Sequence, residues 1–147
     1  MKVPFLDLGR AYEAFAGEFD ASMLEVARSG AYVLGPNVAA LEEAVAAYLG
    51  TDHAVAVASG TDALHLSLRA LGIGPGDEVI TTCMSFNATA MSVLMFNSIP
   101  VFVDISPENY CMAPENIRAA ITENTKAILV VHLLGFSADM DAIINIA

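Results

Sequence analysis

The chain has 147 residues, about one domain's worth, with 56% hydrophobic and 16% charged residues and a mean hydropathy of +0.58. Its net charge of −11, from six basic and seventeen acidic residues without a Lys/Arg cluster, excludes a nucleic-acid-backbone binder, which needs clustered cations. The apolar runs, such as Ala127 to Val131, fall far short of the roughly 20 residues that span a bilayer, so the surplus apolar surface is expected to meet protein.

The first 52 residues read as helical. Tyr12, Phe15, Phe19, Met23 and Ala27 form a stripe over residues 11–28, closed by Gly30. Val38, Leu41, Val45 and Tyr48 repeat the pattern over residues 37–49, with Gly50 as C-cap. Between them lies the apolar loop Tyr32-Val33-Leu34-Gly35-Pro36.

From residue 53 the pattern alternates. Strands are expected near 54–58, 78–82, 99–104 and 127–131, and helices near 61–71, 87–97, 114–121 and 139–147. Short buried strands alternating with helices predict an α/β fold: βαβ units, right-handed crossovers and a parallel core of at least four strands. The expected domains are a helical segment over 1–52 and an α/β portion over 53–147. The last helix begins at Asp139 and has no C-cap or following strand, so the chain reads as the N-terminal part of a larger protein.

The strongest local signal is Ser59-Gly60-Thr61-Asp62, where an apolar strand yields to a helix. Such a turn leaves backbone N–H groups pointing outward at the positive end of the helix dipole, which suits a phosphate. The alternative is an ordinary N-capped helix with Ser59 or Thr61 as cap. No Lys or Arg lies near residues 59–64, so amides and dipole would carry the anion. Gly72-Ile73-Gly74-Pro75-Gly76 precedes a strand and is a turn, not a nucleotide loop.

Phe86 follows the second expected strand and would share a sheet edge with Gly60 and Thr61; it is either a stacking aromatic or a core residue. His132, ending the fourth strand, is a candidate ligand contact or a structural histidine, and Asp104, ending the third, is an acid or a cap. His53 and His65 have no carboxylate or cysteine at metal-ligand spacing, and no metal site is expected. Cys83 and Cys111 read as reduced, buried small hydrophobes. The N-terminus lacks a signal peptide's apolar core, and a cytoplasmic setting is expected.

Several motifs together carry a resemblance. Ser59-Gly60-Thr61-Asp62-Ala63-Leu64-His65-Leu66 is followed by Gly72 to Ile80, Ser85-Phe86-Asn87-Ala88-Thr89-Ala90, Pro100 to Ile105 and His132-Leu133-Leu134-Gly135. With Val3 to Leu8 and Val33-Leu34-Gly35-Pro36, they resemble the DegT/DnrJ/EryC1/StrS family of pyridoxal-phosphate sugar aminotransferases over essentially the whole chain. Met84 stands where that family often has a second aromatic, Asn87 where a small apolar residue is common, and Leu134 where Tyr is common.

The resemblance implies the large domain of a fold-type-I pyridoxal-phosphate-dependent aminotransferase, mostly parallel and here truncated, working as a homodimer. It implies that Gly60, Thr61 and Asp62 hold the phosphate of pyridoxal 5′-phosphate through backbone amides and that Phe86 stacks on its ring. The substrates implied are an amino donor, usually glutamate, and a keto-sugar carried on a nucleotide, with His132 a candidate substrate contact. The family's catalytic lysine and the acid on the pyridine nitrogen lie downstream of Asp139-Met140-Asp141. Lys2 and Lys126 are the only lysines and neither is placed like it, so no catalytic residue is assigned and these residues alone are not expected to transaminate. Relatives with altered lysine positions perform dehydration instead. The other expectations from the residues are a non-catalytic module, either a partner subunit or a sensor of an anionic ligand, and, more weakly, an unrelated nucleotide-binding domain.

Overall fold

The computed structural model describes residues 3–147, and its backbone contacts divide the chain into two compact units, Met1–Ala56 and Val57–Ala147. The first unit holds α1 (Leu8–Ser29) and α2 (Pro36–Leu49). Asp7 caps α1 by accepting the Arg10 N–H at 3.2 Å, and Gly30 ends it at φ 68°, the left-handed conformation that glycine adopts without a Cβ clash. Pro36 opens α2 in a first turn that needs no N–H, and Gly50 closes it with its N–H on Ala46 and Ala47 carbonyls. Within this unit the expected stripe of α1 is exposed: Tyr12 at 42%, Phe15 at 57%, Phe19 at 47% and Met23 at 59%. The Tyr12 hydroxyl donates to Asp20 Oδ1 at 2.7 Å, which raises its pKa above the ordinary 10.0.

The second unit runs α3 (Gly60–Ala70), β1 (Glu78–Thr82), α4 (Ala88–Leu94), β2 (Ile99–Val103), α5 (Pro114–Ala120), β3 (Thr125–Ile128) and α6 (Met140–Ile144), with a 3-10 turn at Leu133–Gly135. Its three strands form a parallel sheet in the order β2-β1-β3. The fold is therefore α/β with a parallel sheet, as expected.

The central strand Glu78-Val79-Ile80-Thr81-Thr82 is buried from its second residue onward, as a strand covered on both faces must be. Alternation sends Val79 and Ile80 to opposite sides. Val79 packs with Leu68, Ile73 and Val93, beneath α3 and α4. Ile80 packs with Val103, Met112, Ile117 and Ile143, beneath α5 and α6. Fully buried Thr81 is satisfied by donating its Oγ1 to the Leu129 carbonyl at 3.0 Å.

The expected strand over 54–58 does not form. A strand needs a ladder partner, and this segment has none among the described residues. Val55 is 78% exposed, and the Ala56 N–H donates to Glu42 Oε1 at 2.7 Å, where a ladder would claim it. The sheet has three strands among the described residues, not four. The fourth expected strand, 127–131, is seen as Thr125–Ile128, with one further bond from Leu129 N–H to the Ile80 carbonyl at 2.8 Å. The helix expected over 87–97 is shorter, Ala88–Leu94, and that expected over 139–147 is Met140–Ile144. Cys111 is buried as expected, but Cys83 is exposed, because it sits in the loop just past the end of β1 and not on the strand.

Candidate functional site

Parallel strands send the chain out at one common edge. The loops after β1, β2 and β3 carry Phe86, Asp104 and His132, so the sheet brings these three residues to that edge. Packing gives the direction of α3. Leu68, near its end, meets Val79 at the start of β1. His65 and Arg69 in its second half both approach Phe96, just past the end of α4, at 6.0 Å between rings and 5.7 Å from guanidinium carbon to ring centroid. α3 and α4 therefore run side by side in the same direction, and Gly60 opens α3 toward the edge where α4 begins.

At the start of α3, Ser59 is extended (φ −160°, ψ 165°) and its Oγ accepts the Asp62 N–H at 3.1 Å. Its carbonyl accepts the Ala63 N–H at 3.0 Å. Of the two expected caps, Ser59 is the one that forms. The N–H groups of Gly60 and Thr61 are left without an acceptor among the described residues. The Asp62 amide, expected to help hold an anion, is instead committed to Ser59. A Cβ built on Gly60 meets nothing within 4 Å, so there is open space beside the turn.

Phe86 is 77% exposed and stands free of the core, which removes the bland reading of it as a core residue. Its loop is braced beneath it: Thr82 Oγ1 accepts the Met84 N–H at 3.1 Å, and Ser85 and Thr89 hydroxyls share a 2.7 Å hydrogen bond. Asn87 stands at the N-cap of α4 without making a side-chain cap bond. Asp104 is a loop cap: its Oδ1 accepts the Ile105 N–H at 2.8 Å.

His132 Nδ1 accepts the Ala138 N–H at 3.1 Å. That bond requires Nδ1 to be unprotonated, so a neutral ring carries its proton on Nε2, leaving Nε2 as a donor. His132 thus plays the structural part and keeps one hydrogen-bonding atom for a ligand. Lys126 stands on β3 near its start, at the opposite edge, and its Nζ donates to the Glu123 carbonyl at 3.3 Å.

Sequence reasoning weighed His65 only as a metal ligand and missed its pairing with Asp62. Its Nδ1 lies 3.6 Å from Asp62 Oδ1, one turn apart on α3. The signal was the i, i+3 spacing of Asp62 and His65, which puts both on one helix face. A cavity of about 500 Å³ lies in the first unit, but Glu42, Glu43 and Asp52 line it beside His53, which suits no anion. No group of three or more metal-ligating side chains occurs among the described residues. No helix among them is long and apolar enough to cross a membrane.

These features describe an α/β protein whose parallel strands carry Phe86, Asp104 and His132 past their carboxyl ends, and whose helix-opening turn leaves two amides without an acceptor among the described residues. The chain belongs to the DegT/DnrJ/EryC1/StrS aminotransferase family, whose model matches residues 14–147. It is 48% identical over its whole length to a protein of Geobacillus stearothermophilus called a pleiotropic regulatory protein, covering 40% of that protein. It is 47% identical to the dTDP-3-amino-3,4,6-trideoxy-alpha-D-glucose transaminase of Streptomyces venezuelae, over 99% of this chain and 38% of that one. The crystal structure of ntda from Bacillus subtilis with bound cofactor PMP superposes with a TM-score of 0.94 at 41% identity, over 99% of this chain and 34% of that chain. The chain thus spans about 40% of the length of the curated relatives it matches.

Proposed function

We propose that residues 53–147 form the N-terminal portion of a pyridoxal-phosphate-binding domain, and that residues 1–147 belong to an aminotransferase acting on a nucleotide-linked keto-sugar with glutamate as amino donor. The observation that carries this is the pair of unclaimed N–H groups at Gly60 and Thr61, in a chain whose family is aminotransferase. The donor set fits a phosphate: two N–H groups, the positive end of an 11-residue helix, and open space over Gly60. Phe86, exposed at the same edge, fits the flat face of the ring.

When bound, pyridoxal phosphate supplies the electron sink for moving an amino group. The chain's own residues do simpler work. The Gly60 and Thr61 amides hold the phosphate and so fix where the ring can lie. Phe86 covers one ring face and keeps water from it. His132 presents Nε2–H to substrate while Ala138 holds the imidazole in place.

Among the described residues the one lysine, Lys126, stands at the opposite edge, so these residues hold the cofactor without anchoring it covalently. A second reading is a non-catalytic subunit or anionic-ligand sensor of the same fold, favoured by the exposed apolar stripe of α1. The exposed apolar stripe of α1 supports association, which we read as homodimerisation, and the two free cysteines fit a cytoplasmic setting. The test is the glutamate half-reaction of the complete protein. Conversion of glutamate to 2-oxoglutarate with a matching change in cofactor absorbance supports the transaminase. Cofactor binding without that conversion supports the sensor.

A further inference from the structure

The phosphate turn has an unbalanced charge beside it. Asp62 follows directly on the two free amides, and no Lys or Arg lies within four residues of 59–64 along the chain. A carboxylate suits the start of an empty helix, but it repels an arriving phosphate. Its backbone N–H is held by Ser59, while its side chain caps nothing.

One turn on, His65 Nδ1 is buried without a hydrogen-bond partner. Native proteins seldom leave such an atom unsatisfied. The groups around it are few. Phe96, beyond the end of α4, presents its ring at 6.0 Å, and Arg69, from the last turn of α3, lies over that same ring. Asp62 Oδ1 lies 3.6 Å from Nδ1, just outside hydrogen-bonding range.

We propose that His65 is a positioning residue for the anion site: when phosphate occupies the Gly60 and Thr61 amides, the Asp62 carboxylate closes onto His65 Nδ1–H. The move takes the carboxylate's charge away from the anion and satisfies the buried Nδ1. It requires only a shortening from 3.6 Å to the usual ~2.9 Å. No proton is gained or lost; the imidazole needs its proton on Nδ1. This inference rests on the reading of Gly60 and Thr61 as a phosphate turn.

The test titrates the complete protein with pyridoxal 5′-phosphate and, separately, with inorganic phosphate, while circular dichroism follows helix content. His65→Leu keeps an apolar body against Phe96 and removes the donor, and should weaken both ligands by on the order of 3- to 10-fold. His65→Asn places an N–H close to where Nδ1 stood and should restore affinity to within about twofold of wild type. In an Asp62→Asn background, with the charge gone, His65→Leu should cost nothing further. The ¹⁵N signal of His65 Nδ1 should move to that of a hydrogen-bonded N–H as phosphate is added. Wild-type affinity in His65→Leu, or an unmoved Nδ1 signal at saturation, overturns the proposal. If Gly60→Pro also leaves affinity untouched, the phosphate turn itself is refuted; if Gly60→Pro weakens binding while His65→Leu does not, only the positioning role falls.

Discussion

Replacing Gly60 with proline isolates one hydrogen-bond donor with almost no cost to the fold. Gly60 is the first residue of α3, and its N–H has no acceptor among the described residues, so proline deletes no helical bond. The preceding residue, Ser59, is already extended at φ −160° and ψ 165°, the conformation proline demands of its neighbour. A Cβ at position 60 meets nothing within 4 Å. The variant should therefore fold as well as wild type, or better by about 0.4–1 kcal/mol, because the unfolded chain loses freedom. Its phosphate site loses one of two donors to a charged group. Such a bond contributes roughly 1.5–3 kcal/mol, which corresponds to a fall in pyridoxal-phosphate affinity of about 10- to 150-fold. Equilibrium cofactor titration, paired with urea unfolding on the same samples, reads both quantities. Unchanged affinity in a stably folded Gly60→Pro protein would mean that the turn is a helix cap and nothing more.

Other substitutions separate cap, ring contact and scaffold. Asp62→Pro removes the N–H that Ser59 Oγ accepts, so it should lower unfolding free energy by about 0.5–2 kcal/mol and change cofactor affinity less than Gly60→Pro does, measured by the same pair of experiments. Phe86→Ala should leave stability nearly unchanged, since the ring is exposed, and weaken cofactor binding by about 1 kcal/mol in an absorbance titration. Gly35→Ala places a Cβ 2.5 Å from the Ala31 carbonyl oxygen, and the shift it forces should cost about 1–3 kcal/mol in urea unfolding. Asp20→Asn removes the carboxylate that accepts the Tyr12 hydroxyl proton, so the pH midpoint of Tyr12 ionisation, followed by tyrosinate absorbance, should move down toward 10.0. The folded-state pKa of Tyr12 is the raised one, so any stability this bond contributes is fully present below pH 10 and is lost as pH rises from there through the raised value.

What the sequence made legible was whatever depends on neighbours along the chain. Val79, Ile80 and the threonines after them read as a buried strand and form one. Gly30 and Gly50 end helices where a left-handed residue is needed. Gly72 and Gly76 take φ of 83° and 87° in the turn that was expected there, with Asp77 Oδ2 accepting the Gly74 N–H. What escaped depends on partners distant in sequence or on side-chain direction. The apolar run over 54–58 has an extended strand's composition, but pairing is a fact about a second strand, and none is described beside it. The turn at Gly60 and Thr61 was visible as a donor site, yet the competition for the Asp62 amide was not: Ser59 Oγ reaches it only because Ser59 is extended. Likewise the exposure of Cys83 turns on whether β1 ends one residue earlier or later, which periodicity does not resolve.

The most direct test of the account is where pyridoxal 5′-phosphate touches the chain. Amide resonances of the ¹⁵N-labelled complete protein, followed during a cofactor titration, report this residue by residue. The account predicts that the Gly60 and Thr61 amides shift most and in step with saturation, that Phe86 and its loop follow, and that the Asp62 amide, held by Ser59, moves less. Shifts centred on Glu42 to His53, with Gly60 and Thr61 unmoved, would contradict it.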